Sequence, residues 1–217
     1  MDIIWTVDQT GMSWTEWAAN MACSPASPLA SLLAKAMPEN PGGWSLDLGC
    51  GTGRAFAPLS EHGYRILGLD RTVVALRAAG ARSLREHLPA FLLAASVACL
   101  PLGTQSMEII LAIGILFHLS PVELNSALVE IRRVLKPDGR AWLYFLDVHD
   151  WRRKLGEVVA PSEVTVYGNQ PVVTCFSSQA ANQAIIESSG LEIVERQNFT
   201  HWDDRGERRE WVFICHP

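Results

Sequence analysis

Leu46-Asp47-Leu48-Gly49-Cys50-Gly51-Thr52-Gly53-Arg54 is the stretch from which the rest of this chain can be read. A short apolar run from Trp44 to Gly49 has strand character, the glycines make a turn, and Arg54 to His62 continues as a helix. Glycine permits positive φ and lets a ligand come close to the backbone. The helix that follows presents unpaired N–H groups at its start. Asp70, 21 residues after Gly49, closes the next apolar run, Tyr64 to Asp70, and sets a carboxylate beside the turn. A glycine turn alone is weak evidence. Strand, turn, helix and acid in this order describe a ligand site at the carboxyl ends of parallel strands.

Outward from this stretch, strand and helix alternate. A helical stretch spans roughly Thr72 to His87, interrupted near Gly80, and Phe91 to Ala95 reads as a short buried strand. Met107 to Ile113 is the fourth strand. The next helix has a sharp start: Ser120 as N-cap, Pro121 at the first position and Glu123 completing a capping box. Leu124, Ala127, Leu128, Ile131, Val134 and Leu135 give it one apolar face. Lys136-Pro137-Asp138-Gly139 reads as a turn into a fifth strand, Ala141 to Leu146. Upstream, residues 1–43 form a helical cap with Trp5, Trp14 and Trp17. Downstream, residues 148–176 are an inserted segment holding a hairpin, Glu163–Tyr167 and Pro171–Phe176. Residues 177–217 supply a helix and a closing strand pair. The expectation is one α/β domain over 1–217, its core at 44–147, with a mostly parallel sheet, helices on both faces and an antiparallel C-terminal edge.

Composition limits the classes available. Across 217 residues, Lys+Arg 18 against Asp+Glu 23 gives a net charge of −5, and 48% of residues are hydrophobic. An acidic balance argues against a nonspecific nucleic-acid binder, while the apolar fraction suffices for a core. The longest apolar run, Ile109 to Phe117, is half of what a bilayer span needs. No basic and apolar leader opens the sequence. Five scattered cysteines without a CxxC pair fit a reducing compartment and no zinc site. The expectation is a cytoplasmic protein, monomeric or homodimeric, that contacts neither membrane nor nucleic acid.

Residues 44 to 147 resemble, motif by motif, the class I S-adenosylmethionine-dependent methyltransferases. The resemblance implies a Rossmann-like, doubly wound seven-stranded sheet. Leu46 to Gly53 matches the family's glycine-rich motif, and its ribose acid falls on Asp70. The adenine motif falls on Ser96-Val97-Ala98-Cys99-Leu100-Pro101-Leu102, the fourth motif is similar to Met107–Leu119, and the fifth to Arg133–Gly139. The cofactor-binding residues so implied are Asp47, Gly49, Cys50, Gly51, Gly53, Asp70, Arg71, Ser96, Val97, Ala112 and Ile113. Ser96 stands where the family usually has Asp, Glu108 where Asp is usual, and Asp138 where glycine is common. A nicotinamide dinucleotide is the competing ligand. The spacing here is GxGxG, however, with Arg54 where that loop wants its last glycine, and Asp70 would repel a 2′-phosphate.

With S-adenosyl-L-methionine as methyl donor and S-adenosyl-L-homocysteine as product, the protein's main task is to hold a nucleophile in line. Candidates for a general base follow the fourth and fifth strands: His118, Asp147 and His149. The 148–176 segment is a candidate substrate lid, with Trp151 or Tyr167 as a wall. Pro-Cys after the fourth strand, Asn/Asp-Pro-Pro-Tyr/Phe and any carboxylate cluster for a metal are all missing. This leaves methyl transfer to an O, N or S atom of a small molecule, without a metal. The alternative is a catalytically silent, methyltransferase-like subunit that holds the cofactor or a partner.

Overall fold

The computed structural model describes residues 14–155, 157–160, 164–167, 172–203 and 206–217. In chain order the elements are α1 (Trp14–Met21), α2 (Pro28–Ala34), β1 (Trp44–Leu48), α3 (Phe56–Glu61), β2 (Arg65–Asp70), α4 (Val73–Arg85), β3 (Ala90–Ala94) and β4 (Met107–Ala112). They continue with α5 (Pro121–Val134), β5 (Leu135–Asp147), β6 (Glu157–Ala160), β7 (Val164–Tyr167), β8 (Val172–Ser177), α6 (Gln179–Ser188), β9 (Glu192–Asp203) and β10 (Gly206–His216). The main sheet runs β3-β2-β1-β4-β5-β10-β9. The first five strands are parallel, and β10 and β9 are antiparallel. This is the doubly wound, seven-stranded arrangement with an antiparallel edge. Strand order reverses between β1 and β4, where such sheets open a crevice.

Two apolar layers cover the faces. Alternation along β1 sends Leu46 and Leu48 into the layer under α5 and α6, with Ala127, Leu128, Ile131, Val134 and Ile186. The other layer joins Ala30 and Leu33 of α2, Phe56 and Leu59 of α3, and Leu76 and Ala79 of α4 to Ile109, Trp142 and Tyr144. Each fully buried Leu or Ile contributes roughly 1.5–3 kcal/mol. The capping box at α5 is formed: Ser120 Oγ accepts from Glu123 N at 3.3 Å, and Glu123 Oε2 accepts from Ser120 N at 3.0 Å.

Several local expectations are corrected. Among the described residues β3 is an edge strand paired only with β2, and Phe91 is 60% exposed, its ring lying 5.4 Å from that of Trp44. A short apolar run does not tell a central strand from an edge one. α4 runs unbroken through Gly80, because one interior glycine costs only about 1 kcal/mol and Ala75, Leu76 and Ala79 anchor the helix. The 136–139 turn lies inside β5 as an irregularity, where Met107 pairs with Leu135 and Ile109 with Arg140. The inserted hairpin is β7 and β8, and β6 adds a third strand that was not foreseen. β8 joins the end of β5 through Leu146↔Phe176 and Asp147↔Ser177.

Candidate functional site

The glycine turn is fastened from both sides. Gly49 N and Cys50 N both donate to Leu69 O, at 2.8 and 2.9 Å, and Gly53 N donates to Cys50 O at 2.9 Å. Gly51 N donates to Asp70 Oδ2 at 2.9 Å, while Thr72 N donates to Asp70 Oδ1 at 2.7 Å. Asp70 therefore shapes the turn while each oxygen keeps a lone pair for a ligand. Gly49 has φ +72°, and a Cβ there would lie 2.7 Å from Ile115 Cβ. Gly51 has φ +51°, and a Cβ there would lie 3.2 Å from the Trp17 ring. Neither position accepts a side chain without strain.

A cavity of about 390 Å³ opens over the turn, within the range of small-molecule sites. One half lies beyond the ends of β1, β2 and β3, with Asp47, Gly49, Cys50, Gly51, Asp70, Arg71, Ser96 and Val97 in the lining. Ile113, Phe117 and His118 continue the wall past β4. Asp47 is buried at 3% exposure, and its carboxyl is pushed up to about 7, by burial first and by the nearby Asp70 charge second. Burial, with Asp47 and Asp70 adding to it, also holds the Cys50 thiol well above its ordinary range. Ser96 Oγ accepts from Ala98 N at 3.2 Å and lies at the rim.

Other expected residues fall outside the lining. Gly53 is behind the turn, where a Cβ would strike the Phe56 ring at 2.5 Å, and Ala112 is buried in the α5 layer. Asp147 is buried instead: Oδ1 accepts from His149 N at 2.8 Å and Oδ2 from Trp211 Nε1 at 2.5 Å. His149 is exposed. Trp151 packs against Gly206, away from the cavity. Tyr167 ends β7, and its side chain lies outside the described residues. Glu108 sits at the opposite end of the sheet, accepting from Trp44 N at 2.7 Å and Lys136 Nζ at 2.6 Å.

The cover comes from α1. Trp14 and Trp17 line the cavity, with ring centroids 6.0 Å apart, and the Trp14 ring lies 4.8 Å from His118 edge to face. Sequence reading missed what holds this helix. Arg82 of α4, 2% exposed, donates from Nε to Thr52 O at 2.9 Å and from Nη2 to Ala22 O at 3.5 Å and Ser24 O. It also pairs with Glu86 at 3.0 Å. One arginine thus ties the glycine turn to the chain leaving α1. Its spacing from Ala75 and Ala79 on the buried stripe of α4 was the available signal. Arg208 of β10 also lines the cavity and was likewise not foreseen. Among the described residues, no group of three His, Cys, Asp or Glu side chains is placed to hold a metal ion, and no helix is long and apolar enough to cross a membrane.

Comparison with known proteins agrees with this geometry. Residues 46–143 match the family model described as a methyltransferase domain. No curated protein matches the chain. Among solved structures, a SAM-dependent methyltransferase from Methanosarcina mazei is similar, with TM-score 0.74 at 19% identity over 88% of this chain and 98% of that one. PH0226 from Pyrococcus horikoshii OT3 aligns with TM-score 0.73 at 20% identity over 93% and 91%. The 1,6-didemethyltoxoflavin-N1-methyltransferase of Burkholderia thailandensis, solved with 1,6-didemethyltoxoflavin and S-adenosylhomocysteine, aligns with TM-score 0.73 at 19% identity over 94% and 83%. Residues 46–143 are thus similar in sequence to a methyltransferase domain, and the chain shares the fold of these solved structures.

Proposed function

We propose that this protein transfers a methyl group from S-adenosylmethionine to an oxygen, nitrogen or sulfur atom of a small molecule, without a metal. The observation that carries the reading is one cavity in which Asp47, the glycine turn and Asp70 face an aromatic wall of Trp14, Phe117 and His118. The residues fit the cofactor. Asp47 offers a carboxylate to its amino group, Asp70 to its ribose hydroxyls, and Gly49 and Gly51 leave room for its backbone approach. Arg71, Ser96 and Val97 border the adenine end. When bound, the cofactor supplies a methyl group already activated on a sulfonium.

The remaining work belongs to the chain. Trp14 and Trp17 exclude water from above, which strengthens every charge interaction inside. Phe117 and His118 orient the acceptor, and His118 is the side chain in the lining suited to take its proton. Asp147 and His149, outside the lining, serve the fold at the end of β5. β8 runs along the segment 116–119, with Cys175 Sγ 3.6 Å from Leu119 O. The insertion therefore supports the acceptor end from below, and α1 is the lid. The experiment is to incubate the protein with methyl-labelled S-adenosylmethionine and a cell extract, with and without a chelator. Label entering the low-molecular-weight fraction in both samples supports the reading. Label confined to protein or nucleic acid, or no transfer at all, would refute it.

A further inference from the structure

We infer that Arg54 receives the carboxylate of the cofactor's amino acid while Asp47 takes its ammonium group; this deepens the proposed methyl transfer and rests on it. Arg54 is the residue that breaks the spacing of a dinucleotide loop, and the family resemblance does not include it among the cofactor residues. It follows the glycine turn directly and lines the cavity together with Ser27, Ala30 and Ala55. Alternation along β1 turns Asp47 away from Leu46 and Leu48, toward the layer built by α2, α3 and α4. Ala30 and Ala55 belong to that same layer. Asp47 and Arg54 therefore border one side of the cavity. Asp70 and Ser96, at the ends of β2 and β3, border another.

The Arg54 guanidinium has no counter-ion among the described residues. Its Nε donates to a neutral partner, Pro25 O, at 3.1 Å, and Arg54 O accepts from Ser27 N at 2.9 Å. Segment 25–27 thus holds the residue by side chain and backbone, and leaves Nη1 and Nη2 to spend. Partial burial, and next to it the charge of Arg82, pull the Arg54 pKa below the ordinary arginine value. Glu86 does not relieve this, because Arg82 and Arg85 already pair with it at 3.0 and 2.8 Å. A half-buried cation beside a second cation is stabilised when an anion joins it, and a guanidinium fork matches a carboxylate. Ser27 Oγ accepts from Ala30 N at 3.3 Å and keeps its own proton for the same anion. The other arginines of the lining stand elsewhere. Arg71 follows Asp70 at the end of β2. Arg208 is the counter-ion of Glu210, 3.9 Å away, within the buried Asp150–Arg152–Glu210 network. An α-amino acid carries opposite charges on neighbouring atoms. A buried acid and an unpaired guanidinium on one side of the cavity complement it.

The test compares S-adenosylhomocysteine with 5′-deoxy-5′-(3-aminopropylthio)adenosine, which keeps the amine and lacks only the carboxylate, by calorimetric titration. Wild type should bind S-adenosylhomocysteine about tenfold more tightly than the amine. Arg54→Gln should lose that preference through weaker S-adenosylhomocysteine binding alone, with the amine bound as well as before, and Arg54→Lys should retain part of it. The wild-type comparison needs no variant, and Tm of each variant reports whether the fold is kept. Equal binding of the two ligands to wild type, a preference that survives Arg54→Gln, or an equal loss for both ligands in that variant overturns the inference; the last would give Arg54 a structural role through Pro25. Failure of both ligands to bind wild type would instead remove the methyl-transfer reading, and this assignment with it.

Discussion

Asp47→Asn separates the stability of this site from its use. The carboxyl has an ordinary value of 3.8 and is raised to about 7 in the folded chain. Below 3.8 it is protonated whether the chain is folded or not. Between these values the folded state holds a proton that the unfolded state has released, so stability falls as pH rises. Above about 7 the carboxylate is charged in both states and the loss is complete. The interval of about three pH units, at 1.36 kcal/mol per unit, corresponds to about 4 kcal/mol; water entering the open cavity lowers this toward 2 kcal/mol. Asparagine does not titrate. The variant should therefore unfold like wild type near pH 4 and be more stable by about 2–4 kcal/mol at pH 8, or roughly 5–15 °C in Tm. Its affinity for S-adenosylmethionine should drop about tenfold, because the charge facing the cofactor's ammonium is gone. Urea or thermal unfolding of the ligand-free proteins from pH 4 to 8 reads the first effect and calorimetry the second. Parallel stability curves for the two proteins would refute the reasoning.

Three further changes test other parts of the site. Arg82→Met keeps the stem but leaves the carbonyls of Thr52, Ala22 and Ser24 without their donor; urea denaturation should show a loss of about 2–4 kcal/mol, with weaker cofactor binding as α1 loosens. Gly49→Ala forces a side chain into positive φ and against Ile115. It should lower stability by about 2–4 kcal/mol and cofactor affinity with it. His118→Ala should reduce kcat by about a hundredfold for an acceptor that carries a proton while leaving S-adenosylhomocysteine binding nearly intact; unchanged turnover would clear the histidine of the base role.

The parts of this fold that repeat along the chain were legible in the sequence. The glycine turn, Asp70 and the Ser120–Glu123 capping box are local signals in which spacing alone fixes geometry, and the structure places them as spaced. β3 was misjudged because burial of a short strand depends on its neighbours in the sheet. The continuity of α4 past Gly80 was decided by tertiary contacts that outweigh a small propensity cost. Arg82, Arg208 and the Asp150–Arg152–Glu210 network escaped notice for a related reason. Arg152 reads as one of three consecutive basic residues, yet it is buried because Asp150 and Glu210 meet it, the latter 58 residues away. Such pairings exist only after β10 has docked on β5. The side of the cavity next to the glycine turn is therefore written in one stretch of the chain, and the opposite wall is assembled from distant ones.

The most direct test of the central claim is calorimetric titration of S-adenosylhomocysteine into wild type and Asp70→Ala, with NADPH as the control ligand. Binding to wild type at about 10 µM or tighter, at least tenfold weaker binding to the variant, and no heat from NADPH are the expected results. No binding of S-adenosylhomocysteine, or binding of NADPH in its place, would contradict the account.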